Sequence, residues 1–337
     1  MPSKLCAGRD VNLAWLLAFG ILLQLAIAGK GLGQANSPDE QIIRVNVQLV
    51  QVDAQVLEKK TGRGVGSLGK DDFQLYEDGT KQQISNLSRD QLPLSIVLLF
   101  DLTDSVRPVL KPLAAGALQA LQHLKPEDEV AVMVYAGSAQ LLQDFTIDHA
   151  EVVAAIEKAS RMKSDQPAFF NEAIFQASSK LAKAKNPKTR RTIIWLTDNV
   201  PNIPRSAAHT QDEAFHEVFE TGTVVYALLE RSALSDVAMA TFTKNPIFAP
   251  LRKSHPPGDV YKYAERTGGQ AMKSSKEEIS SNLARMIDEI RTRYTIGYYP
   301  SVKQPKGKFC EIKLQIKPET EKRAGPMLVR TKQGYFR

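Results

Sequence analysis

The residues best equipped for chemistry lie at Asp101-Leu102-Thr103-Asp104-Ser105, directly after the run Leu94 to Phe100, which is apolar on both faces. A carboxylate and two hydroxyls on alternate positions of one loop can turn inward together. That donor set suits a hard, oxygen-seeking octahedral cation, magnesium first and manganese as the alternative. A second apolar run, Thr192 to Leu196, leads through Thr197 to Asp198 and would bring another carboxylate to the same edge. Asp101, Thr103, Ser105 and Asp198 are therefore the candidate metal ligands. A purely structural reading stays open: the aspartates would end strands, and Thr103 and Ser105 would cap the next helix. Asp104 is expected to face solvent.

Positioning these groups requires a sheet whose strands all present their carboxyl ends to one side. Leu94 to Phe100, Val130 to Tyr135, Thr192 to Leu196 and Val224 to Leu229 have the texture of buried parallel strands. Between and after them, helical patterns appear at Val109–Leu121, Val152–Ala159, Phe170–Ala184, Ala214–Phe219, Val260–Arg266 and Ile279–Arg291, with a short strand near Phe145. The alternation predicts an α/β fold, a doubly wound, Rossmann-like domain over residues 92–292. Its ligand site should lie in the crevice beyond the strand carboxyl ends.

Both flanks of that domain have β texture. In the first, Val45, Val47 and Leu49 alternate with polar residues before the phase shifts to Val50, Val52, Ala54 and Val56, which suggests a β-bulge. Glu77-Asp78-Gly79 is a hairpin signal. In the second, Tyr294 to Tyr298, Cys310 to Ile316, Leu328 to Arg330 and Tyr335-Phe336 read as strands. Each flank alone is too small to bury a good core. Residues 42–90 and 294–337 are expected to pair into one flanking β-sandwich domain, with the α/β domain inserted between them.

Asp101-x-Thr103-x-Ser105 together with Thr197-Asp198-Asn199 resembles the metal-ion-dependent adhesion site (MIDAS) of von Willebrand factor A (VWA) domains, written Asp-x-Ser-x-Ser and Thr-Asp-Gly. Thr103 keeps the hydroxyl of the serine it replaces. Asn199 stands for the glycine, and Asn tolerates left-handed backbone better than most residues. The stretches Asp71 to Gly79, Ala264 to Ala271 and Tyr294 to Pro300 are similar to a bacterial family of exported, VWFA-related proteins, which extends the resemblance to nearly the whole mature chain. The family pattern implies a ligating Thr in the loop before the Phe170 helix, where this chain has Ala168, with no side-chain oxygen. Water or Asp165 would fill that position, and the resemblance then implies a magnesium site that binds weakly or not at all.

The N-terminus carries Lys4 and Arg9 ahead of an apolar run from Leu13 to Ala28, with small residues at Gly33 and Ala35. This is the layout of a secretory signal peptide over residues 1–35, cleaved near Ala35, or alternatively near Ala28. Export to the periplasm or the extracellular space is expected, with membrane attachment only if the segment stays uncleaved. Its removal takes the formal charge from +7 to about +5, with no basic stripe interleaved with aromatics, so nucleic acid is not an expected partner. The mature chain would keep one cysteine, Cys310, on the buried face of a strand, which excludes an internal disulfide.

No Gly-x-Ser-x-Gly elbow, His-Glu-x-x-His pair or phosphate loop occurs. His209 and His216 could share a helix face but stand too far apart for adjacent-turn zinc ligation. The expected function is therefore non-enzymatic: a binding module for protein-protein interaction or adhesion that engages a partner's acidic side chain through the cation. The alternative is a metal-independent scaffold. A metal-dependent hydrolase built on Asp101 and Asp198 ranks lower, for want of a water-activating base.

Overall fold

The computed structural model describes residues 49–89, 92–164, 166–186, 188–200, 208–230, 237, 244–250 and 259–337. The signal-peptide segment, Val45 and Val47 of the expected bulge, and Asp165 lie outside them. Among the described residues no helix is long and apolar enough to cross a membrane.

The first flank forms strands β1 (Val50–Glu58), β2 (Phe73–Glu77), β3 (Thr80–Gln82) and β4 (Ile84–Ser88). Asp78 (φ 47°) and Gly79 (φ 77°) make the two-residue turn between β2 and β3, the left-handed pair that a tight hairpin requires. The α/β part follows as β5 (Leu94–Asp101), α1 (Arg107–Leu121), β6 (Glu129–Tyr135), β7 (Ala139–Thr146), α2 (His149–Arg161), α3 (Phe170–Leu181), β8 (Arg190–Thr197), α4 (Gln211–Glu220), β9 (Val224–Glu230), α5 (Val260–Thr267), β10 (Ala271–Ser274) and α6 (Ile279–Arg291). The second flank adds β11 (Tyr294–Tyr298), β12 (Phe309–Ile316), α7 (Pro318–Ala324), β13 (Met327–Thr331) and β14 (Gly334–Phe336).

The α/β sheet has the order β10-β9-β8-β5-β6-β7. It is parallel except for β7, which folds back antiparallel on β6 as a largely exposed edge. Every residue of β5 and β6 is buried, because helices cover both faces. Leu94, Ile96, Leu98 and Phe100 pack with α1, α2 and α6, while Val97 and Leu99 pack with α3, α4 and α5. From β5 the chain first goes to β6 on one side and later to β8 on the other. The reversal opens a crevice at the carboxyl ends of β5 and β8, where such folds place their ligands.

The flanks form two more sheets, β13-β1-β11-β4 and β14-β12-β2-β3, around one apolar cluster that includes Val52, Leu75, Ile296 and Leu314. β1 runs against β11 from Val50 to Ala54 without a register break. A register irregularity falls between β11 and β4 at Gly297 and Tyr298.

Arg293, between α6 and β11 and only 1% exposed, ties the sandwich to the α/β part. Its Nη1 donates to Tyr226 Oη (2.8 Å) and the Gly268 carbonyl (2.9 Å), and its Nη2 to the carbonyls of Asp53 (3.3 Å) and Arg330 (3.4 Å). Gly268 ends α5 in the left-handed region (φ 78°). A Cβ there would stand 2.4 Å from the Thr331 backbone at the end of β13, so only glycine lets the two parts approach this closely. Gly268→Ala is expected to cost roughly 2–4 kcal/mol, from left-handed strain plus the clash. Urea denaturation checks this, and a loss below about 0.5 kcal/mol, the size of an ordinary surface substitution, would contradict it.

Candidate functional site

Asp101 is the last residue of β5 and is fully buried. Three groups hold its carboxylate: the Thr103 amide donates to Oδ1 (2.9 Å), and Tyr135 Oη (2.9 Å) and Thr197 Oγ1 (3.0 Å) donate to Oδ2. Tyr135 ends β6 and Thr197 ends β8, so the parallel register brings both to Asp101 from either side. Trp195 Nε1 in turn donates to Tyr135 Oη (2.9 Å), and the Tyr135, Phe170 and Trp195 rings meet edge-on beneath the carboxylate. The result is a buried aromatic floor under the carboxylate.

The hydroxyls stand above it. Thr103 Oγ1 and Ser105 Oγ are 3.2 Å apart, and Ser105 Oγ donates to Asp198 Oδ2 at 2.5 Å. The other Asp198 oxygen accepts the Val200 amide (2.9 Å), which fixes the carboxylate on its loop. Asn199 takes φ 57°, in the left-handed region the site loop needs, and its Oδ1 accepts the Val260 amide at the start of α5 (3.1 Å). All four sequence-derived residues, Asp101, Thr103, Ser105 and Asp198, thus share one rim. The capping alternative does not describe Thr103 or Ser105: Val106 occupies the N-cap of α1 and makes no side-chain cap, and the Ser105 hydroxyl turns to Asp198. Asp104 is exposed and pairs with Arg107 at 2.8 Å.

Electrostatically the rim is acidic. Burial, with the nearby Asp198 charge second, pushes the Asp101 carboxyl up to about 6 despite its hydrogen bonds. Burial and the Asp101 charge drive the Tyr135 phenol well above its ordinary range, so it remains a donor. Glu230, at the carboxyl end of β9, is raised by burial, partly offset by Lys276, with the Asp198 charge a smaller cause. Neither Asp101 nor Asp198 forms an ion pair among the described residues.

Ala168 is fully buried, with its side chain in the apolar cluster on the α3 side of the sheet, and adds no oxygen. A cleft of about 420 Å³ lies beside the site, walled by Leu102, Tyr135, Ser138, Met162 and Gln166. Among the described residues no three His, Cys, Asp or Glu side chains cluster tightly enough to hold a metal by themselves. The donor set is two carboxylates and two hydroxyls, all hard oxygens, so it fits magnesium or manganese in kind while offering few protein ligands.

Tyr135, Trp195, Thr197 and Glu230 went unassigned in the sequence. A tyrosine ending a wholly buried strand was the available signal, since a buried phenol needs a partner. His209 precedes α4 rather than sharing a face with His216. It binds Glu172 through Nδ1 (2.7 Å) and stacks on Phe175, while His216 rests on Phe336.

Residues 96–200, carrying most of β5, all of β6 to β8 and the residues Asp101, Thr103, Ser105 and Asp198, match the von Willebrand factor type A domain family. The chain carries a von Willebrand factor A domain. The matched stretch lies within the α/β part, and no curated protein matches the sequence. Solved structures similar to this VWA-containing chain include an aerotolerance-related membrane protein from Bacteroides fragilis NCTC 9343, with multiple mutations to serines. It is 13% identical, with 58% of this chain and 99% of that one covered and a TM-score of 0.40. The vWF domain of the type V pili tip protein Mfa5 from Porphyromonas gingivalis is 11% identical, with 60% and 96% covered and a TM-score of 0.42. The conserved hypothetical protein BatB from Bacteroides thetaiotaomicron is 16% identical, with 58% and 99% covered and a TM-score of 0.38.

The raised carboxyl has a definite consequence for stability. The unfolded chain releases the Asp101 proton near pH 4, whereas the folded chain holds it to about pH 6, so the fold loses stability as pH rises through that window. Asp101→Asn removes this loss. Its stability relative to wild type should rise between pH 4 and pH 7 by about 2–3 kcal/mol in denaturant titrations without divalent cations. A pH-independent difference would show that the carboxyl titrates normally.

Proposed function

We propose that this chain is an exported, non-enzymatic binding module whose VWA domain engages a protein partner through an acidic side chain, using a weakly held divalent cation at the β5/β8 rim. The observation that carries this reading is the gathering of Asp101, Thr103, Ser105 and Asp198 at the sheet's crossover, with two carboxylates and no ion pair among the described residues. A cation held there would supply positive charge for a partner's carboxylate. Thr103 and Ser105 would offer their hydroxyls directly. Asp101 would set the charge from below, oriented by Tyr135 and Thr197, and the adjoining cleft leaves room for the partner's chain. The export reading rests on the Lys4, Arg9 and Leu13–Ala28 pattern and places the partner in the periplasm or outside the cell.

A second reading is favoured by one feature of the rim. The Ser105 hydroxyl already bonds Asp198, and Asp101 already accepts three hydrogen bonds, so the site is closed without an ion. On that reading the domain is a metal-independent scaffold, and its contacts ignore chelators.

Calorimetric titration of the full chain with magnesium and manganese chloride separates the two. The metal reading expects saturable binding with a Kd on the order of 1 mM, in the weak range of extracellular sites. Asp101→Ala should abolish it, and Ala168→Thr, which restores a hydroxyl to the loop, should tighten it about tenfold, near 1.4 kcal/mol. No heat from wild type and Ala168→Thr alike would overturn the metal reading and leave the scaffold.

A further inference from the structure

A cleft of about 190 Å³ lies at the other end of the sheet, where the sandwich meets the amino ends of β8 and β9. Its walls carry Arg190, Arg191 and Lys332, with Asp53 as the one carboxylate lining it. Asp53 is already committed: it pairs with Arg190 at 3.4 Å and accepts the Thr295 hydroxyl at 3.0 Å. Arg190 is 4% exposed, and its Nη2 is spent on the Arg293 carbonyl (3.2 Å) and Thr295 (3.1 Å).

The other two cations have donors to spare. Arg191 reaches the Thr221 carbonyl through Nη1 at 3.0 Å, while its buried Nε has no hydrogen-bond partner among the described residues. The Lys332 ammonium lies 5.7 Å from the Tyr335 ring and donates to no oxygen among the described residues. Its enclosure lowers its pKa, with Asp53 partly compensating. The buried Arg293 behind adds to the excess, for its charge opposes that of Arg190. The hydroxyls of Thr221 and Thr223, 2.8 Å apart, also face this end of the sheet.

We infer that this cleft is a binding site for a doubly charged oxyanion of phosphate size, held by Lys332 and Arg191 with the Thr223 hydroxyl beside them. Two cations without an ion pair among the described residues match two negative charges, and charge-assisted bonds from the Lys332 ammonium and the Arg191 guanidinium would hold the phosphate oxygens. The volume admits a phosphate group with a few further atoms, not a nucleotide. The source is either free phosphate or a small phosphomonoester. The inference is independent of the metal reading, since the site uses none of the rim residues.

The test is thermal denaturation of the full chain in sodium phosphate, glycerol phosphate and sodium chloride at matched ionic strength, which removes general screening from the comparison. Phosphate should raise Tm saturably above the chloride value. A larger shift with glycerol phosphate identifies a monoester as the ligand, and an equal or smaller one identifies free phosphate. Lys332→Met and Arg191→Gln should each lose the phosphate response by tenfold or more in midpoint concentration. Lys332→Met should match or exceed the wild-type Tm in chloride, because it removes a partly enclosed charge that Asp53 offsets only in part. Asp101→Ala should respond to phosphate as wild type does. A wild-type shift no larger in phosphate than in chloride would overturn the proposal, as would equal shifts in wild type and both cleft variants.

Discussion

A carboxylate sealed beneath a sheet edge, with a second carboxylate close above it and no ion pair on either among the described residues, is the constraint around which the VWA domain is arranged. In a dry environment a like-charge contact is far stronger than in water, so Asp101 is tolerated only because its surroundings are polar in the right places. Thr103, Tyr135 and Thr197 supply those places from three different segments, and Trp195 holds Tyr135 in turn. Tyr135 and Thr197 are fixed by the sheet: a one-residue slip of β6 or β8 against β5 would carry its donor to the opposite face. A residue that works against stability but is held by this many aligned groups is what the proposed cation-binding role requires, since natural sequences accept a local cost at such positions.

The legible and illegible parts of this arrangement divide by sequence distance. Asp101, Thr103 and Ser105 fall within five residues of one loop, so their alternation alone announced them, and Asp198 followed from the same strand-then-acid grammar. The left-handed Asn199 also agrees with its residue type. Tyr135 and Glu230 could not be read this way, because only the strand order brings them to the rim. Buried two-sided strands were plain from composition. The four-residue β10 and the seven-residue α7 were not, since neither is long enough to show a period.

Ala168 stands where the resemblance implies a ligating threonine, and it is fully buried. Its side chain packs with the apolar cluster that also takes Phe170 and Trp195, so the loop is anchored by hydrophobic burial rather than by coordination. Anchoring of that kind needs no ion, and neither does the Ser105 to Asp198 hydrogen bond. The rim is thus preorganised by protein groups alone. Preorganisation lets a weak site remain useful, because little ordering is left for a ligand to impose.

The two ends of the α/β sheet are opposite in charge, and strand polarity accounts for it. In a parallel sheet with covering helices, helix N-termini gather at the carboxyl edge and C-termini at the amino edge. The first end favours anions and the second favours cations. Asp101, Asp198 and Glu230 stand at the carboxyl edge, and Arg190, Arg191 and Arg293 stand at or near the amino edge. Arg190 and Thr197 begin and end the same strand, eight residues long, which separates the two ends by roughly 23 Å. That exceeds the screening distance of about 8 Å at physiological salt, so direct charge coupling through solvent is weak. Any influence of the seam on the rim would have to travel through the packed strand itself, where β8 sits rigidly between β5 and β9 and leaves little room for two arrangements.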